Sequence, residues 1–189
     1  MDRKDFLKKS LQLGLCCSGA LVAIGSGEIP GHAAAEPGEI LSRVQQEKQF
    51  IENWLTDLLE TIDSQLDEKT KVKLMEGCGR GCFRRHQFKR DLAKQGQGDL
   101  EKLLEALKQN FYIEREGDLV HIRYGTSPDG CYCPVLRNRP AKPDDMHCNC
   151  TRATHQAIWE EALGRPFKVD IVETVRRGGK RCHFIVHLT

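Results

Sequence analysis

The 189-residue sequence has almost no charge imbalance, with 29 basic against 27 acidic side chains and a formal net charge of +2. Charges so mixed along the chain leave no electrostatic footprint for nucleic acid. The pairs Arg84-Arg85 and Arg176-Arg177 read as solvated faces. A long hydrophobic run is also missing. The apolar stretch 11–24 is short and broken by Gly14, Ser18 and Gly19, so no permanent membrane span is expected. The glycines around Cys78 have no Lys-Ser/Thr partner and no preceding strand, which excludes a nucleotide-phosphate loop. No Ser-His-Asp arrangement offers itself for hydrolysis. Cys78 and Cys82 lack the third cysteine, two residues on, of a radical iron–sulfur signature.

What is present begins with an address. Met1-Asp-Arg-Lys-Asp-Phe-Leu-Lys-Lys-Ser10 is a basic opening, residues 11–24 an apolar core, and Ala33-Ala34-Ala35 a small-residue cleavage site. Residues 1–35 are therefore expected to be an export signal peptide. Arg3-Lys4-Asp5-Phe6-Leu7-Lys8 resembles the twin-arginine export motif, with Lys4 in place of the second arginine. That resemblance implies translocation of a folded protein to a periplasmic or other extracytoplasmic location. An ordinary secretory signal is the alternative.

Cysteine is abundant, with nine residues, seven of them beyond position 35: Cys78, Cys82, Cys131, Cys133, Cys148, Cys150 and Cys182. Neighbours in a Cys-x-Cys pair rarely suit a disulfide with each other, because the closing ring is strained. They suit a shared metal or separate partners. An oxidising compartment favours disulfides, whereas an odd count leaves at least one thiol free, modified, metal-bound or paired between chains.

The remaining 154 residues divide into a helical half (36–110) and a cysteine-rich α+β half (111–189), expected to form one compact domain. Val44, Ile51, Trp54, Leu55, Leu58 and Ile62 fall at helical spacing over about 39–65, with Trp54 on the expected core stripe. A short helix runs from Asp67 to Met75. Gly77-Cys78-Gly-Arg-Gly-Cys82 then interrupts the pattern, since such glycines mark a turn or a close approach. On a helical turn Cys78 and Cys82 would share a face, within about 6 Å. Helices follow at 83–94 and 99–109, with Asp99 a candidate N-cap and Leu100, Leu103, Leu104 and Leu107 the core stripe.

From residue 111 the period becomes two. Strands are expected at 111–114, 119–124 and 131–136, the last placing Cys131 and Cys133 on one face. Ser127-Pro-Asp-Gly130 is a turn. His147-Cys148-Asn-Cys150 precedes a helix at 151–163, where the helix dipole favours thiolate. A final hairpin turns at Gly178-Gly179, with Cys182, Phe184 and Val186 facing the core. His183 and His187 are then roughly 13 Å apart, too far to share an ion, and read as surface residues. The expected fold is α+β: N-terminal helices packed on an antiparallel sheet of four to five strands, one helix inserted before the C-terminal hairpin.

Cys148-Asn-Cys150, the helix through Trp159 and Gly164, the strand ending Val172-Glu173, and Gly178-Gly-Lys-Arg-Cys182-His-Phe-Ile-Val together resemble 4-vinyl reductase-like domains. The family named for 2-amino-thiazoline-4-carboxylate hydrolase is similar. The resemblance covers roughly residues 110–189. It implies a pocket for a small organic ligand and a zinc held by Cys150, Glu173 and Cys182. A further cysteine expected after the glutamate is absent, Arg176 standing near there, and Cys133 or Cys148 could substitute.

Three functions follow as expectations. The first is an exported small-molecule-binding or sensor-like module with a structural zinc. Its ligand set is Cys133, Cys148, Cys150 and Cys182, with Glu173 as replacement and Cys131, Cys78 and Cys82 as further candidates. The second is a hydrolase with Cys148 or Cys150 as nucleophile and His147 or His155 as base. The third is a disulfide-stapled structural protein. An iron–sulfur cluster is the other cofactor considered, although the spacing matches no cluster motif.

Overall fold

Asp67 and Asp99 open helices from their side chains, accepting hydrogen bonds from the Thr70 and Lys102 amides at 3.0 and 3.1 Å. The computed structural model describes residues 37–125, 131, 133–136 and 140–189. The export signal at 1–35 and the turn at 127–130 lie outside them. Leu41–Thr189 form one compact unit. Its elements, in order, are α1 (Pro37–Gln65), α2 (Glu68–Arg85), α3 (Gln87–Gln95), α4 (Leu100–Lys108), β1 (Tyr112–Glu116), β2 (Leu119–Tyr124), a 3-10 turn (Pro134–Leu136), α5 (Cys148–Leu163), β3 (Lys168–Glu173), a second 3-10 turn (Val175–Arg177) and β4 (Cys182–His187).

The four strands make one antiparallel sheet in the order β1-β2-β4-β3. Alternation sorts its two faces. Val120 lies opposite Val186, Ile122 opposite Phe184 and Tyr124 opposite Cys182 on the inner face. Leu92 of α3, Leu103 and Leu107 of α4, and Ile158 and Trp159 of α5 pack on them. Each such buried side chain contributes about 1.5–3 kcal/mol. Gly164, at φ 68°, ends α5 in the left-handed conformation that its missing Cβ permits. No helix among the described residues is long and apolar enough to cross a membrane.

The α+β fold with a four-stranded antiparallel sheet and one helix before the C-terminal strands is as expected. Four local expectations are corrected. The glycines at 77–81 do not break a helix: α2 runs through them to Arg85. A Cβ on Gly79 would sit against the Cys150 carbonyl oxygen and 2.8 Å from Ala153 Cβ, so that glycine serves a close approach. Residues 131 and 133 are not in a strand. Pro134 cannot donate to a ladder, and Leu136 N–H instead bonds to the Cys133 carbonyl in a tight turn. Helix α5 begins at Cys148, so both cysteines lie inside its first turn. Trp54 is 57% exposed, with Val44, Phe50 and Ile51 also outside the core. Only the later part of α1, through Leu59 and Ile62, packs on a small apolar cluster with Met75, Leu136 and Met146. Asp63 ties the same turn to Lys71, at 3.3 Å, and to Lys142. The bond from Lys142 holds the Asp63 carboxyl below its usual range.

Candidate metal centre

Cys78 and Cys82 stand one helical turn apart on α2, as i,i+4 spacing requires. The contact at Gly79 presses that part of α2 onto the first turns of α5. Thr154 Oγ1 donates to the Gly79 carbonyl at 3.1 Å. Arg80 reaches Glu160 and Arg152 reaches Glu76, both at 2.7 Å. Lys89 of α3 donates to Cys82 Sγ at 2.9 Å.

On α5 the spacing works the other way. Residues two apart on an α-helix point about 200° apart, so Cys148 and Cys150 diverge. Cys148 Sγ is buried 3.0 Å from Thr174 Oγ1. Cys150 packs instead on the small cluster of Leu59, Met75, Leu136 and Met146. The approach to α5 is pinned by a buried ion pair. Arg176, 5% exposed, lies 2.8 Å from Asp145 and donates to the Pro140 carbonyl at 2.6 Å. Asp145 accepts from the His147 amide at 2.9 Å. The reading of Arg176 as a solvated face is thereby overturned: it holds the loop before α5 against the turn after β3.

The other thiols close on the same region. Cys131 packs on the small cluster beside Cys150, while Cys182 begins β4 as part of the large core. Cys182 lies opposite Tyr124. Glu173 ends β3, its Oε2 accepting from the Lys180 amide at 3.1 Å. All seven described cysteines are free thiols. They come from α2, the 131–133 segment, the start of α5 and the start of β4, and gather along the seam between the two apolar clusters.

Electrostatics reports which thiols are neighbours. Burial pushes Cys150 up to about 12, and the adjacent Cys82, Cys78 and Cys133, in that order, add to it. Burial raises Cys133, with Cys131 and Cys82 beside it. Burial takes Cys148 up to about 11 against the bond from Thr174; Cys182 is among its neighbours. Burial raises Cys182, with Cys131 and Glu173 beside it. Tyr124, buried, is raised well above its usual value, with Cys182, Cys131, Cys148 and Cys133 around it. The expectation of thiolates favoured at the α5 N-terminus is therefore reversed. Burial beside other thiols outweighs the helix dipole.

The expected tetrad of Cys133, Cys148, Cys150 and Cys182 is not assembled as one group, because α5 sends its two thiols apart. Among the described residues, no three Cys, His, Asp or Glu side chains already stand in position to hold an ion. The donor chemistry nevertheless suits one. Thiols select zinc, copper(I) and iron–sulfur clusters. A change of χ1 rotamer moves a sulfur by about 3 Å. Several neighbouring buried thiols can ionise together only when a cation offsets their charge.

A family model described as a family of unknown function, DUF6144, matches residues 38–189. The chain belongs to this family. None of the curated proteins matches it. The matched stretch of the DUF6144 chain includes all seven described cysteines.

Several residues of this site carry no signal in the sequence. Lys89 reaches Cys82 only because the chain breaks at His86 between α2 and α3. Tyr124 is one aromatic in a strand until β4 pairs with it. His155, expected near the site from α5, is buried instead in an aromatic cage of Phe111, Tyr124 and Phe184. Its Nε2 lies 3.3 Å from Tyr124 Oη, and burial depresses it to about 3. On the outer face His183 is not a lone surface residue: its Nε2 stands 2.9 Å from His121 Nδ1. His187 pairs with Asp170 at 2.7 Å.

Proposed function

We propose that the chain is an exported small-molecule-binding or sensor-like module whose cysteine seam carries a structural thiolate metal centre, with zinc as the metal. One observation carries the reading: seven free thiols from four separated segments meet where two apolar clusters adjoin. A thiolate-bound ion there would tie α2, the 131–136 segment, α5 and β4 together. The small cluster has four buried apolar side chains and few other means of doing so. Export rests on the signal-like N-terminus. The small organic ligand rests on the resemblance to 4-vinyl reductase-like domains. A groove of about 510 Å³ beside Phe83, Arg84, Arg90 and Lys94 offers an anionic molecule a place.

The cysteine-nucleophile hydrolase has the weaker support. Burial raises Cys148 and Cys150, the opposite of what a nucleophile needs. His155 is occupied with Tyr124. The test is metal content and free-thiol count on protein purified without chelator. Metal in at least stoichiometric amount, reduced by Cys150→Ser, is expected. Metal-free protein whose cysteines are oxidised in pairs would overturn the proposal in favour of a disulfide-stapled chain.

A further inference from the structure

The two Cys-x-Cys pairs have a common property. In each, the two thiols have different neighbours. Cys148 Sγ lies against Thr174 on the β3 side, with Cys182 close by. Cys150 turns to the small cluster and to the α2 thiols, Cys82 and Cys78. Helical geometry enforces that split. The 131–133 segment divides in the same way. Cys131 is the thiol beside Cys182, and Cys133 the one beside Cys82 and Cys150. Two groups result, one at the α2–α5 crossing and one where α5 meets the β3–β4 connection. The second has three thiols, and Glu173 stands next to Cys182 as its fourth donor. Each group has four protein donors, the number that closes a structural zinc shell.

We infer that the seam holds two metal ions: one on Cys78, Cys82, Cys133 and Cys150, the other on Cys131, Cys148, Cys182 and Glu173, each Cys-x-Cys pair giving one thiol to each ion. This rests on the metal-centre reading above. Every thiol that becomes a ligand releases its proton to solvent, four from the first group and three from the second, while Glu173 contributes an oxygen. Lys89, 2.9 Å from Cys82, remains as an ammonium beside the first group and offsets part of the charge left by four thiolates around a divalent ion.

The test titrates reduced full-length apoprotein with cobalt(II), then zinc, without oxygen. Cobalt absorption counts the ions and distinguishes four sulfurs from three sulfurs and an oxygen. Two equivalents are expected in the unaltered chain. A Cys78→Ser, Cys82→Ser variant should keep one ion with the three-sulfur spectrum. A Cys148→Ser, Cys182→Ser variant should keep one with the four-sulfur spectrum. Glu173→Gln, which leaves every thiol in place, should alter only the three-sulfur component. One equivalent in the unaltered chain would overturn the two-ion inference and leave the metal-centre reading standing; no binding would overturn both. Loss of both ions in either double variant, with circular dichroism of the folded chain retained, would overturn the partition. An unchanged spectrum in Glu173→Gln would remove Glu173 from the second group.

Discussion

The two apolar clusters of this molecule are built in different ways. The large one joins the inner face of a four-stranded sheet to α3, α4 and α5, and its members recur at regular periods: Leu103 and Leu107 on a helix, Phe184 and Val186 on a strand. The small one has Leu59, Met75, Leu136 and Met146, one from each of α1, α2, a 3-10 turn and a loop. Periodic elements supply their own cover. Elements that meet once each do not, and there the thiols gather. The large cluster should therefore stand without help, and the small one should depend on its polar and thiol ties.

Replacing the centre of the large cluster should have the greatest effect. Trp159 is fully buried, and Trp159→Ala should lower unfolding free energy by about 3–5 kcal/mol in denaturant titration. A comparable result from Met146→Ala would erase the contrast. Next is the tie beside the small cluster. Arg176→Met leaves Asp145 buried without its guanidinium and should cost about 3 kcal/mol. Amide exchange should then quicken in the first turn of α5 more than in β2 and β4.

The large cluster also holds an acid weakness. His155 is depressed to about 3 from an ordinary 6.5. Its folded value is the lower, so the unfolded chain takes up a proton first as pH falls. Stability is fully present above about pH 6.5 and is lost progressively towards pH 3. By pH 5 the loss from this group should be about 2 kcal/mol. A His155→Leu variant should show a flatter pH profile in thermal melts; an unchanged profile would show that other groups set it. The smallest effect belongs to the exposed part of α1. Trp54→Ala should change stability by less than about 0.5 kcal/mol, and a larger loss would mean that α1 contributes more than its later turns.

The same contrast explains what could be read in the sequence. The stripe of α4 and the alternation of β4 were legible because neighbours repeat at the period of the element. In α1 the same period marked an apolar face that includes Trp54, but a period names a face and not its cover. The glycines at 77–81 read as a break because glycine is a poor helix former; the reason to keep the helix was the backbone of α5, more than seventy residues away in the chain. The cysteines were visible at once, yet their grouping was not. Read as a strand, Cys131 and Cys133 share a face. In the turn that Pro134 imposes they have different neighbours, and on α5 Cys148 and Cys150 diverge. Fold class depended on local pattern, whereas the site depended on which elements meet.

The sheet order has a consequence for assembly. Strand β4 comes last of the four in the chain but lies between β2 and β3. Until it is made, β3 has no partner in the sheet and β1-β2 is a lone hairpin, of marginal stability in water. β4 also brings Cys182, so the closing of the sheet and the arrival of the last thiol are one event. Pairings across such sequence distances form slowly. A growing chain would thus carry helices and unpaired strands together for most of its synthesis, and would become a folded protein only as its final strand slots into the middle.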